Sequence, residues 1–188
     1  MIKKRMNDWV KSHLLLVVLS FWGCTTWAET RYGLFVGVNE YDAGQLLTPL
    51  DGCVIDATEM RGTCLRNGGW SSTNTVRLTD SSATLTAVRA AFGNLAKAAK
   101  SGDTVLYYQS SHGGNVTDPY GNMTDDVYLC EYDTPYYDYE LAEDLSAFKA
   151  GVKVVILIDA CHSGGLFKAL NGADVPVRKP TGGFSIAR

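Results

Sequence analysis

Histidine is scarce in this chain, with three among 188 residues, and proline contributes only five. No two of the five cysteines form a C-x-x-C pair, which excludes a thioredoxin-type redox protein and the spaced ligand pairs of zinc ribbons. A surplus of basic residues is also missing. The formal charge is −3, so no electrostatic footprint for nucleic acid exists. No internal repeat or low-complexity tract is present. The balance of Gly, Pro, aromatics and charge excludes collagen-like, coiled-coil and disordered chains. What remains is ordinary globular composition, 46% hydrophobic and 20% charged, enough for one domain with a sizeable core.

The longest apolar stretch near the start, Leu14 to Trp22, is too short to span a bilayer as a mature helix. It follows Lys3, Lys4, Arg5 and Lys11 and precedes Thr26-Trp27-Ala28, a small-residue exit before Glu29. This pattern predicts a signal peptide over residues 1–28 and an exported protein, periplasmic or secreted. Lipid attachment at Cys24 is the poorer alternative, because Phe21-Trp22-Gly23 does not supply the small residues that such a site needs. Cleavage removes four basic residues and one acidic one, leaving 13 against 19. The mature domain, residues 29–188, therefore carries −6 with four cysteines and two histidines, and has no further membrane segment.

An exported protein with four cysteines invites disulfides. Cys53 and Cys64, however, fall on one predicted helix, and eleven residues at helical rise set their Cα atoms roughly 16 Å apart, beyond bridging distance. Cys130 could pair with either, but nothing in the sequence requires it.

Along the mature chain strand and helix alternate. Strands are expected at 32–38, 75–78, 104–108 and 152–158, and a small one at 127–132. Helices are expected from Asp51 to Arg66, from a cap at Ser82 or Thr84 to Ala99, and from Glu140 to Ala150. The stretch from Gly113 to Asp126 reads as a polar loop. Near-continuous apolar strands separated by helices mean an α/β fold, a mainly parallel sheet covered by helices on both faces. Ligands and chemistry in such sheets sit beyond the carboxyl ends of the strands.

Two strand ends carry reactive side chains. One runs into Ser110-Ser111-His112-Gly113-Gly114 and the other into Asp159-Ala160-Cys161-His162-Ser163-Gly164-Gly165. A thiol becomes a nucleophile as thiolate, and imidazole is the base that generates it near neutral pH. His162 adjoins Cys161 and points to the opposite face of an extended segment. His112 is therefore the better partner, and the candidate dyad is His112 with Cys161. Taken singly, Cys161 could be a small buried hydrophobe and His112 an ordinary loop residue. A metal reading would use Cys161, His162, His112 and Asp159, without the usual ligand spacing.

The sequence Tyr107-Tyr108-Gln109-Ser110-Ser111-His112-Gly113 resembles the His block of caspase-like cysteine peptidases. Asp159-Ala160-Cys161-His162-Ser163-Gly164 resembles the Cys block of their metacaspase and bacterial branch. Leu34-Phe35-Val36-Gly37-Val38-Asn39-Glu40-Tyr41, Leu50-Asp51-Gly52-Cys53-Val54-Ile55-Asp56-Ala57 and Ala83-Thr84 match that branch in order and spacing. The likeness runs from Tyr32 to Gly165. One departure is Ser111, where the family has Gly, a change that would crowd the oxyanion side.

The resemblance implies the three-layer sandwich of the caspase–haemoglobinase fold and a cysteine endopeptidase in which Cys161 attacks and His112 transfers protons. The backbone N–H groups of Gly113 and Cys161 would form the oxyanion hole. Cys53, Asp56 and Ser110 match positions lining the first specificity pocket of metacaspases, and Asp159 shares the strand face of the nucleophile. Carboxylates there imply protein or peptide substrates cut after Arg or Lys. The alternative is a catalytically impaired interaction module of the same fold.

No cofactor is expected. Asp126 and Asp138 match two positions of the family's calcium cluster, whereas Tyr139 and Lys168 replace the others, so neither a metal site nor strong calcium dependence is expected. Self-cleavage after Arg178 is a further expectation, since the segment from Ala173 to Pro180 is polar and Pro-containing. The resembled fold continues with strands after the Cys block, and Thr181 to Arg188 shows no strand pattern. The sheet is therefore expected to lack its C-terminal strands, to be completed by a partner or a missing segment.

Overall fold

The computed structural model describes residues 28–161. The expected signal peptide, Cys24, His162, Lys168, the Arg178 region and any C-terminal strands lie outside the described residues, apart from Ala28 at the signal-peptide boundary.

Apolar runs become the strands of a parallel sheet. These are β1 (Arg31–Gly37), β2 (Thr75–Thr79), β3 (Thr104–Ser110) and, last among the described residues, β7 (Lys153–Asp159). Their order is β2-β1-β3-β7, all parallel. Alternation along each strand divides the core into two layers. Leu34, Val36, Val105 and Tyr107 pack on one face, beneath Val88, Phe92 and Leu95 of α2 (Leu85–Ala98) and Leu141 and Leu145 of α3 (Asp138–Ser146). Phe35, Leu106 and Tyr108 pack on the other face, beneath Ala57 and Cys64 of α1 (Cys53–Asn67). The three-layer α/β arrangement matches the expectation.

Local chemistry sets the helix starts. Thr84 Oγ1 accepts the Ala87 N–H at 3.2 Å, and Asp133 Oδ1 accepts the Leu85 N–H at 2.8 Å, so α2 is capped by its own residue and by a distant turn. Asn39, just past β1, accepts the Val54 N–H at 3.3 Å and ties α1 to the carboxyl end of that strand. A Cβ on Gly37 would lie 2.3 Å from the Cys53 carbonyl oxygen, so only glycine lets α1 start this close to the sheet. The four described cysteines are free, Cys53, Cys64 and Cys130 buried and Cys161 exposed. No helix among the described residues is long and apolar enough to cross a membrane.

The segment expected as a polar loop from Gly113 to Asp126 is instead an antiparallel hairpin. It comprises β4 (Gly113–Thr117) and β5 (Met123–Cys130), extended by the short β6 (Pro135–Tyr137) into a second sheet of order β4-β5-β6. Asp118 makes its turn by accepting the N–H groups of Tyr120 and Asn122, and Gly121 takes φ +83°. Helix α3 begins at Asp138 rather than Glu140, because the Glu140 carboxylate reaches back to the Tyr137 N–H at 3.0 Å, and it ends at Ser146 rather than Ala150.

The sheet order places a switch point between β1 and β3. The chain leaves β1 toward β2 and leaves β3 toward β7, so a crevice opens outside their carboxyl ends. Gly37, Ser110 and Asp159 form one registered row across that edge.

Candidate active site

His112 stands just past the end of β3, and its peptide is clamped from three sides. Its N–H donates to the Tyr41 hydroxyl at 2.9 Å, and its carbonyl accepts from the Cys130 N–H and the Ser111 hydroxyl, each at 2.9 Å. Burial pushes the Tyr41 hydroxyl well above its ordinary range, so it remains a neutral group that also donates to the Val38 carbonyl. The Tyr41 and His112 rings lie 5.4 Å apart. The imidazole Nε2 is 2.8 Å from the Thr48 carbonyl oxygen. A carbonyl only accepts, so Nε2 carries the proton and Nδ1 is the free base nitrogen.

Cys161 lies at the neighbouring strand end, two residues beyond Asp159, the partner of Ser110 in the sheet. Its side chain is exposed. The other described thiols are buried, and burial is the largest cause raising each of them, Cys130 to about 12. They are poor sources of thiolate. The two strand ends touch through their backbones, since a Cβ on Gly113 would come within 2.5 Å of the Cys161 carbonyl oxygen.

The four residues expected to line the first specificity pocket fall together. Cys53 opens α1, and Asp56 follows one turn later, at the same end as Ser110 and Asp159. The Cys53 thiol is raised first by burial and then by the Asp56 and Asp159 carboxylates, with Ser110 acting in the opposite direction. Tyr108 feels the same two carboxylates and is pushed up to about 12, again mainly by burial. Cys53 and Ser110 are buried, whereas Asp56 and Asp159 are exposed. The arrangement is a buried floor of Cys53 and Ser110 with an exposed acidic rim of Asp56 and Asp159.

Ser111, the departure from the family pattern, is 4% exposed. Its hydroxyl accepts from Gln109 Nε2 at 2.9 Å and donates to the His112 carbonyl, turning inward instead of crowding the crevice. Asp138 is also engaged internally, accepting the Tyr139 N–H at 2.8 Å and the Val127 N–H at 3.4 Å. Among the described residues, no group of three or more His, Cys, Asp or Glu side chains could hold a metal ion.

Sequence reading missed Thr48 and the part played by Tyr41. Thr48 acts through a main-chain carbonyl, which no residue-type pattern reports. Tyr41 closes the first block that resembles the family, but its role emerges only once β1 and β3 are side by side.

Comparison with known proteins places this geometry in a family. Residues 30–183 match the caspase domain. Metacaspase-1 of Saccharomyces cerevisiae is 31% identical over 147 residues, covering 71% of this chain and 33% of that protein. Metacaspase-1A of Aspergillus oryzae is 29% identical over 154 residues, covering 72% and 35%. Metacaspase-7 of Arabidopsis thaliana is 29% identical over 145 residues, covering 72% and 35%. A crystal structure of a protein from Geobacter sulfurreducens superposes with a TM-score of 0.64 at 32% identity, over 76% of this chain and 55% of that one. The chain thus spans about a third of the length of the curated relatives it matches. On its sequence and on its fold, this chain belongs to the caspase domain family.

Proposed function

We propose that the protein is a cysteine endopeptidase that cleaves after Arg or Lys, with Cys161 as nucleophile and His112 as base. The observation that carries this reading is the oriented His112 imidazole, Nε2 held by Thr48 and Nδ1 free, at a strand end whose neighbour bears an exposed thiol.

In the proposed reaction Nδ1 takes the thiol proton, and the Cys161 sulfur forms a bond to the scissile carbonyl carbon. The oxyanion that develops is met by the N–H groups of Gly113 and Cys161. The His112 imidazolium, oriented by the Thr48 carbonyl at Nε2–H, passes its proton to the leaving amine as the C–N bond breaks. Water then loses a proton to His112 and attacks the thioester, releasing the acid and restoring the thiol. Metacaspase relatives support this assignment, and the caspase-domain match over residues 30–183 supports a peptidase domain following the signal-like N-terminus. The inward turn of Ser111 removes the crowding that would favour an impaired interaction module. The signal-like N-terminus supports export of the domain with cleavage before Glu29, which N-terminal sequencing of the secreted or periplasmic protein checks.

The acidic rim supports a basic P1 side chain. Fluorogenic peptides differing only at P1 test it. The wild type should turn over Arg and Lys peptides and leave the Asp peptide uncut. Asp159→Asn and Asp56→Asn should each lower kcat/KM on the Arg peptide about 10-fold, an effect kept modest by the exposure of both carboxylates. Equal turnover of Arg and Asp peptides by the wild type would overturn the assignment.

A further inference from the structure

Glu131 has no role in the chemistry above, yet its burial is unusual. It follows β5 in the turn before β6, with 0% exposure, and among the described residues no donor meets either carboxyl oxygen with hydrogen-bond geometry, Gln109 being the polar side chain nearest to doing so. No salt bridge reaches it among the described residues. Arg89, on α2, is already engaged by Glu140, Glu143 and Asp144 of α3. A charged carboxylate left without a partner in such a place is strongly disfavoured, whereas the neutral acid is tolerated.

Its surroundings connect directly to His112. The preceding residue, Cys130, donates its N–H to the His112 carbonyl. The Glu131 carbonyl accepts from Gln45 Nε2 at 2.7 Å, and the same amide bonds the Tyr132 carbonyl, which also accepts the Asp42 N–H at 2.8 Å. This turn therefore holds both the His112 peptide and the loop that leads to Thr48. On the side-chain face a buried polar seam runs up β3. The Tyr107 hydroxyl donates to Gln109 Oε1, Gln109 Nε2 donates to Ser111 Oγ, and Ser111 donates to the His112 carbonyl.

Among the described residues, the ionisable groups facing Glu131 are all acids: Tyr41 from the loop after β1, Tyr107 from β3, its neighbours Cys130 and Asp133, and Tyr136 from β6. Burial first, and then Asp133, push the carboxyl up to about 8, with Gln109 alone acting the other way.

We propose that Glu131 is a positioning residue for His112, held as the neutral acid at neutral pH, and that its ionisation in mildly alkaline solution disturbs the seam and loosens the His112 peptide. The proposal rests on the reading of His112 as the base. The sign follows from linkage. The folded protein retains this proton between about 4.5 and about 8, where the unfolded chain has lost it, so stability declines as pH rises through that window.

The test uses the full chain without substrate, so it is independent of whether peptidase activity is found. Melting curves from pH 5 to 9 compare wild type with Glu131→Gln, which is permanently neutral, and with Glu131→Met, which fills the same space. NMR titration of the His112 ring Cε1–H follows the site itself, with His162→Gln and His13→Gln backgrounds assigning the signal. The wild-type Tm should fall with rising pH relative to both variants. The His112 signal should show a second inflection near pH 8 in the wild type and none in the variants. Parallel Tm curves, or the same His112 titration in all three proteins, would overturn the proposal. Failure of the peptidase reading would show instead as absence of Cys161-dependent turnover, with these two readouts unaffected.

Discussion

On the proposed reading, Cys161→Ala is expected to lower kcat/KM on an Arg peptide by at least about 10,000-fold, since removing the nucleophile of an acyl-transfer site leaves only binding and oxyanion stabilisation. The same substitution leaves Tm nearly unchanged, because the side chain is exposed and fills no part of either core layer. The combination is diagnostic. A cysteine kept for packing would show the reverse pattern, a stability loss with activity preserved. Progress curves on the fluorogenic Arg peptide, with melting curves on the same samples, check both halves.

The second large effect is expected at Gly113. A Cβ there would meet the Cys161 carbonyl oxygen at 2.5 Å and the Tyr128 carbonyl oxygen at 3.2 Å, both backbone atoms that cannot swing aside. Gly113→Ala is therefore expected to push apart the two strand ends that hold the proposed base and nucleophile, and to displace a proposed oxyanion donor. A shift of this kind at a catalytic constellation costs about 100-fold or more in kcat/KM. Gly114→Ala supplies the control. Its Cβ would meet the end of the Tyr128 ring, hydroxyl at 2.5 Å, and that side chain can move. The expected loss is under about 10-fold, so kinetics of the pair separate crowding of the site from crowding of the strand.

These expectations draw on features with different visibility in the sequence. The strands β1 and β3 were legible because both of their faces are buried, which makes the residues almost continuously apolar, and the half-buried β7 was legible from its unbroken apolar run Val154 to Ile158. Helix α2 was legible through the spacing of Val88, Phe92 and Leu95. Once those elements alternate, the carboxyl-end rule leads to His112 and Cys161. Of the hairpin, only the second half of β5 was legible, as the small strand expected at 127–132, whereas Gly-Gly-Asn-Val-Thr of β4 has neither alternation nor an apolar run. Its pairing comes from backbone bonds and from the Asp118 turn. Glu131 was hidden for a different reason. An acidic residue between Cys130 and Tyr132 reads as solvated, and only the closing of β6 and Gln45 around the turn buries it.

Thr48 shows why a list of site residues drawn from sequence stays incomplete. The contribution is a carbonyl group that every residue has, and its value depends on the loop between β1 and α1 passing above His112. That loop is fixed by Asp80, whose Oδ1 accepts the N–H groups of Asn39 and Glu40 at 2.8 and 3.0 Å, and by the Gln45 bridge to the Glu131 turn. The site thus depends on contacts spread along the whole carboxyl edge of the sheet.

The central claim is that Cys161 is a nucleophile generated by His112 and addressed by a basic side chain. Labelling with a peptidyl acyloxymethyl ketone bearing Arg at P1, followed by peptide mapping in a mass spectrometer, tests it most directly. The account predicts one adduct, on Cys161, that is lost in His112→Gln and absent with the matching Asp reagent. Labelling of Cys53, Cys64 or Cys130, or equal labelling of Cys161 with and without His112, would contradict it.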